Sequence, residues 1–331
     1  MAALHGRGTS ELPEPDGTMR TCARAAGLAA TWLVAATGLA ASAWAAVPTG
    51  VPPPLRFVTL NLLHGGAASG LAGSAQELEQ RLEIVVDSLR ALGADVIALQ
   101  EASVSRGRGN VAARIAAALG FHHVHTPATE RALGSVAVGR VLVWLLNFSE
   151  GPAIVSRFPI AAWETHDLPR CRGLFDARVL LRTEIEAPWG RFQVFSAHAS
   201  RDGCQAARVG DLVRSRRAAA PAVLMGDFNA AEGSAAIAGL TGRVGLIDVF
   251  RTANPAEPGF TVWQRIEAPA PTVFRRVDYV LLLPGTAFPG RIRASRVVLD
   301  TPRRLPDGRV LWPSDHYGVL ADIEMFPDRP D

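Results

Sequence analysis

No lysine occurs in the 331 residues, so all 34 basic side chains are arginine. Alanine and glycine are plentiful, and an arginine-only set of cations is what coding bias would leave. It still has a chemical consequence, because the planar guanidinium fork binds oxyanions bidentately. A large excess of either charge is lacking too: the formal net charge is +3, too small to indicate nucleic-acid binding. Three cysteines are too few for a cysteine-built metal cluster. No internal repeat is visible, which argues against a solenoid or propeller. Ser156 in IVSRF lacks the flanking glycines of a nucleophile elbow, so a serine hydrolase is not indicated. What is present is a globular composition, 48% hydrophobic and 20% charged, with ample material for a core.

The N-terminus stands apart. Residues 1–18 are a polar extension, disordered or upstream of a true start at Met19. From there the chain runs through Arg20 and Arg24 into an apolar stretch ending in small residues, with Ala43-Trp44-Ala45 as an A-x-A site. Residues 19–46 therefore read as a secretory signal peptide. The alternative is an uncleaved anchor, since Ala25 to Val47 is long enough to span a bilayer. Cys22 lies too early for lipid attachment. Residues 47–54 read as a linker, and 55–327 as one catalytic-sized domain.

Along that domain, strands are predicted at Arg56–Asn61, Asp95–Gln100, Phe121–His125, Val141–Leu146, Ala153–Val155, 222–226, Arg276–Leu283 and Tyr317–Ile323. Segments 178–186 and 191–198 form a hairpin around Ala187-Pro188-Trp189-Gly190. Helical periodicity covers Gln76–Leu92, Asn110–Leu119 and Arg201–Ala220. The hairpin would bring Cys171 and Cys204 together at its open end, where an exported protein could form a disulfide. Helices interleave with strands early and hairpins follow. The predicted class is α/β (α+β): two mixed sheets packed face to face, helices outside, a four-layered sandwich.

Many of these strands end in a polar residue. TLN ends in Asn61, LQE in Glu101, SAH in His198; GDFN carries Asp227 and Asn229, VDYV carries Asp278, and SDH carries Asp315 and His316. In an extended chain Asp227 and Asn229 would share a face, where both could contact one group; an Asx-type turn closing the strand is the alternative. The ordered series TLN, LQE, AH, GDFN, VDYV, SDH resembles the endonuclease/exonuclease/phosphatase superfamily, the deoxyribonuclease-I-like fold, over about residues 55–325. Its members include DNase-I-type nucleases, apurinic/apyrimidinic endonucleases, bacterial sphingomyelinases and inositol polyphosphate 5-phosphatases. The resemblance implies hydrolysis of phosphate esters with a divalent metal, Mg²⁺ or Mn²⁺.

On that resemblance Glu101 is the leading ligand for a hard cation, with Asn61 adding a carbonyl oxygen and Asp315 on the metal side. Asp227 would take a proton from the attacking water, with Asn229 holding water or a phosphate oxygen. His316 would contact the scissile phosphate as base, acid or cationic stabiliser, and Asp278 could fix its tautomer. His198 would assist the leaving oxygen, which favours phosphodiesters over monoesters. Arg178 is a candidate phosphate contact. Segment 150–160 receives no catalytic role, and His122, His123 and His125 read as a solvated strand face. The expected substrate is a nucleic acid, a phospholipid head group or a small phosphodiester, acted on by a monomer with no obligate protein partner. A non-catalytic binding module on the same fold is the reading from another class.

Overall fold

The computed structural model describes residues 52–64, 77–201 and 203–327. The expected extension, signal segment and most of the linker lie outside the described residues. No described helix is long and apolar enough to cross a membrane.

Two mixed sheets form the scaffold. The first has the order β10-β11-β1-β2-β4-β3: β1 (Leu55–Asn61), β2 (Val96–Ser105), β3 (His122–His125), β4 (Ser149–Ser156), β10 (Arg291–Val298) and β11 (Gly318–Glu324). A two-residue strand, Gly109–Asn110, pairs with β2. The second contains β5 (Ile160–Asp167), β6 (Val179–Ala187), β7 (Gly190–His198), β8 (Ala222–Asp227) and β9 (Asp278–Leu283) in the order β9-β8-β7-β6-β5, with Ile247–Asp248 on its β9 edge. β1–β2 and β7–β8 are parallel and β6–β7 is an antiparallel hairpin.

Period-two alternation divides each strand between two cores. Phe57, Ala98, Val223, Val280 and Ala321 fill the space between the sheets. Val58, Leu60, Ile97 and Leu99 face outward onto α1 (Leu78–Leu92) and α2 (Val111–Leu119). Leu224, Phe195 and Leu281 face the other way onto α4 (Ala206–Ser215). The result is the predicted four-layered sandwich.

Several elements differ from the sequence reading. Residues 141–146 are the end of a helix, α3 (Val136–Leu146), and not a strand. Its valines suggested β-structure, but tertiary context overrides that weak preference: residues 142, 143 and 146 fall on the partly covered side, one helical face. β5 and β10 went unpredicted because they lie at sheet edges, mostly exposed, without apolar alternation. The α4 helix is shorter than 201–220, spanning only Ala206–Ser215. In the His-rich strand, His125 is not a solvated residue: its ring lies 3.0 Å from the Ala102 carbonyl, and burial pushes its pKa down. Cys171 and Cys204 form a disulfide at the open end of the β6–β7 hairpin, with Cα atoms 6.2 Å apart.

Candidate active site

Strand ends supply the site. In the second sheet His198 pairs with Asp227, and Asp227 with Asp278, so three polar residues stand on one rung across β7, β8 and β9. In the first sheet Asn61, at the end of β1, pairs with Gln100. Glu101 follows, at φ 54°, where the β2–β4 register shifts between Leu99 and Ala102. A bulge of this kind redirects one side chain out of the sheet's alternation, and here it turns Glu101 toward the cleft. Alternation in a regular strand would have sent it elsewhere.

Asn61 joins the two sheets. Its amide donates to Glu101 at 3.2 Å and to Asp227 at 3.1 Å, and the Asn61 side chain is almost wholly buried. The pairing of Asp227 with Asn229 comes from a turn and not from strand alternation. β8 stops at Asp227, Asn229 takes φ 49°, and the Asn229 N–H donates to Asp227 Oδ1 at 2.7 Å. The turn also brings the Asn229 amide 3.2 Å from His198 Nε2.

His316 and Asp278 form a buried pair, Nδ1 to Oδ2, at 2.9 Å. The other face of the His316 ring, Nε2, lies 3.8 Å from Asp227 Oδ2. Burial pushes the His316 imidazolium down, but Asp278 and then Asp227 outweigh it, and its pKa lies well above the ordinary histidine value. Burial raises the Asp227 carboxyl, and the negative charge of Asp278 raises it further. Asp278 therefore orients the imidazolium while Asp227 retains affinity for a proton at neutral pH.

His198 has a different environment. Arg178 Nη1 lies 2.9 Å from His198 Nδ1. A guanidinium can only donate, so Nδ1 accepts and a neutral ring carries its proton on Nε2. Burial, and next the Arg178 charge, hold its pKa well below the usual value. His198 Nε2 lies 3.5 Å from Asp227 Oδ2. The two histidines of the cleft are thus shifted in opposite directions, His316 up and His198 down, so that one site holds two imidazoles of different proton affinity.

Residues that the sequence reading overlooked support this set. His64, three positions past Asn61, donates its backbone N–H to Glu101 Oε2 at 3.2 Å. Burial pushes the Glu101 carboxyl up, yet the histidines His198 and His64 and the donors from His64 and Asn61 hold it at about 2. Arg81, buried, donates to the Leu62, Leu63 and Pro313 carbonyls and clamps the end of β1 to the SDH segment. Glu150, in the segment given no catalytic role, is raised by burial and lies in the field of Arg178 and Glu101. Asp176 accepts from Ser200 and from the Cys171 N–H, and stands 3.5 Å from Arg178. The spacing of TLNLLH could have flagged His64; Arg81 and Glu150 carry no signal outside the folded chain.

These residues surround a cleft of about 410 Å³ whose mouth is ringed by Arg172, Arg178, Arg201 and Trp263. The donor set fits a hard divalent cation. Glu101, Asp227 and Asp315 line the same cleft, and Asp315 is pushed up by burial and, after a partial offset from His316, further by Glu101. Asp278 Oδ1 has no hydrogen-bond partner among the described residues. Asp227, Asp278 and His316 offer ligand atoms within 4.8 Å of one another, although Asp278 and His316 already satisfy each other.

Fold and site together define a phosphoesterase-type hydrolase. The chain matches the family model described as Endonuclease/Exonuclease/phosphatase family over residues 58–316 and belongs to that family. Solved structures share the fold. An endonuclease/exonuclease/phosphatase family protein from Leptotrichia buccalis superposes with TM-score 0.60 at 18% identity, covering 82% of this chain and 100% of that one. A mannosyl-6-phosphatase from Bacteroides thetaiotaomicron gives TM-score 0.60 at 17% identity, covering 82% and 100%. The human Nocturnin catalytic domain with bound sulfate gives 0.57 at 18% identity, covering 83% and 94%. No curated protein matched the sequence.

Proposed function

We propose that this chain is an exported, divalent-metal-dependent phosphodiesterase of the nuclease type. The carrying observation is that Asp227 faces both a protonatable His316 held by Asp278 and a neutral His198 held by Arg178, within one cleft. A phosphate diester resists attack because its oxygens repel the nucleophile, and hydrolysis requires charge neutralisation, an activated water and a donor to the departing oxygen.

The side chains divide that work. A divalent ion held by Glu101, with Asn61 and Asp315, would neutralise charge on the phosphate. Asp227, raised by burial, accepts the proton of the attacking water at Oδ2. The His316 imidazolium presents Nε2–H to a phosphate oxygen, its tautomer fixed by the Nδ1–H bond to Asp278. His198 presents its Nε2–H to the second ester oxygen, and that second donor is what favours a diester over a terminal phosphate. Asn229 keeps Asp227 oriented through its backbone N–H. The basic mouth supports an anionic substrate without choosing among nucleic acid, lipid head group and small diester. Export rests on the segment 19–46 and predicts a mature protein beginning near Ala46, read by N-terminal sequencing.

A hydrolysis panel tests this reading: single- and double-stranded DNA, RNA, sphingomyelin, inositol phosphates and a chromogenic diester, each with EDTA and with Mg²⁺ or Mn²⁺ restored. Diester cleavage should vanish with EDTA and return with metal. His316→Ala should lower kcat on the order of 10²–10⁴-fold. Turnover unchanged in His316→Ala would remove the site, and a preference for terminal phosphates would make the enzyme a phosphatase.

A further inference from the structure

Helix α3 breaks the rule that a surface helix turns its apolar side inward. Its sequence is VAVGRVLVWLL, and only Gly139 is buried. A Cβ at Gly139 would lie 2.0 Å from the Glu130 carbonyl oxygen, so the helix rests on the domain through backbone at its glycine. The opposite side faces solvent: Val138 is 49% exposed, Val141 58%, Trp144 65% and Leu145 56%. An apolar face of that size on a water-soluble surface marks an interaction site.

The face is continuous with the cleft. The Leu133 N–H donates to the Leu174 carbonyl at 2.9 Å, tying the segment before α3 to the disulfide loop. That loop exposes Leu174 at 58% and Phe175 at 74%, and its Arg172 lines the cleft mouth. On the other side, Phe148, just past α3, packs its ring against His64 at 5.1 Å between centroids, and His64 in turn contacts Glu101.

The surrounding charge selects the partner. Arg106, Arg131, Arg140, Arg170 and Arg172 lie in or beside these segments, against three acids: Asp167 paired with Arg131, Glu130 paired with Arg140, and Asp176 bonded to the Cys171 and Arg172 N–H groups. Two of them are held by neutral acceptors: Arg106 by the Trp144 carbonyl and Asn147, with its guanidinium 5.7 Å from the Trp144 ring, and Arg170 by the Arg131 carbonyl. α3 itself has no acidic residue. An aliphatic face, an exposed tryptophan and a rim of arginine is the composition of a helix lying in a lipid interface, and the excess of guanidinium complements anionic head groups. We propose that α3 and the Leu174–Phe175 tip dock this domain on the surface of a bilayer containing anionic phospholipid, with the cleft mouth beside that surface. This docking does not depend on the hydrolytic reading, since binding is measured without turnover.

The test uses the full chain with Cys22→Ser and a single reporter cysteine, Val141→Cys or Glu186→Cys, carrying an environment-sensitive fluorophore. Glu186 lies at the turn end of the β6–β7 hairpin, away from His198. Both proteins keep the same N-terminal apolar run, so any anchoring by that run is common to them. With phosphatidylglycerol–phosphatidylcholine vesicles containing spin-labelled lipid, the label at 141 should shift to the blue and be quenched at least about twofold, while the label at 186 stays unchanged. Leu145→Glu, at an exposed position, should remove most of that quenching, and vesicles of phosphatidylcholine alone should weaken it. The proposal is overturned if the label at 141 remains in water or if the two positions are quenched equally. It is also overturned if the 141 label shifts without vesicles as protein concentration rises, which would show a second copy covering the face.

Discussion

Asp278 has no route to the substrate except through the ring it holds. It is fully buried, spends Oδ2 on His316 Nδ1 and leaves Oδ1 without a partner among the described residues. Asp278→Asn keeps the shape and removes the charge. Because Asp278 raises both His316 and Asp227, both values fall in the variant. The acid limb of the kcat/KM profile, where Asp227 must be ionised, and the basic limb, where His316 must keep its proton, should both move to lower pH. At neutral pH kcat should drop on the order of 10³-fold or more, as when a buried carboxylate that fixes a histidine tautomer is neutralised. A pH–rate profile of the folded variant checks this, and unmoved limbs would deny the coupling. Residue types in order along the chain were enough to nominate Asn61, Glu101, His198, Asp227, Asn229, Asp278 and His316. Their support was not legible, because Arg81 and Glu150 acquire meaning only from the carbonyls and charges that the fold brings to them.

Among the elements, β8 depends most on one residue. Gly226 sits at φ 151°, and a Cβ there would lie 1.9 Å from the Ala197 carbonyl oxygen of the neighbouring β7. Glycine inside a strand often marks such a close backbone approach. Gly226→Ala should therefore destabilise the domain by about 3 kcal/mol or more, within the range that local strain and lost packing reach, read as a lower urea midpoint at unchanged slope. The variant should lose activity as well, since Asp227 is the next residue. Long buried strands and periodic helices were legible from alternation alone. The Glu101 bulge was not, because nothing in LQEAS distinguishes a bulged glutamate from a regular one. α3 was misread because its valines fit either state, and the decision is made by Gly139 against the Glu130 carbonyl.

For the whole molecule, the Cys171–Cys204 link spans a sequence separation of 33 residues and closes the loop that holds Asp176, Arg178 and His198. Loop closure of that length restricts the unfolded chain by about 3–4 kcal/mol. Reduction, or Cys204→Ser, should lower Tm by roughly 5–10 °C for a domain of this size, measured by calorimetry with and without reductant. It should also raise KM, because Arg172 belongs to the same loop. The four-layered architecture was legible from the order of strands, helices and hairpin, whereas the exposed apolar face was not, since sequence pattern assigns valine and tryptophan to the interior by default. One further property comes from the rung that His198, Asp227 and Asp278 share across three strands. Sheet alternation has a period of two, so losing or gaining one residue within β7, β8 or β9 turns every later side chain of that strand to the opposite side. The polar row is thus kept by counting: these strands can change spelling but not length, and any drift in length during descent must be absorbed by connections such as residues 254–277.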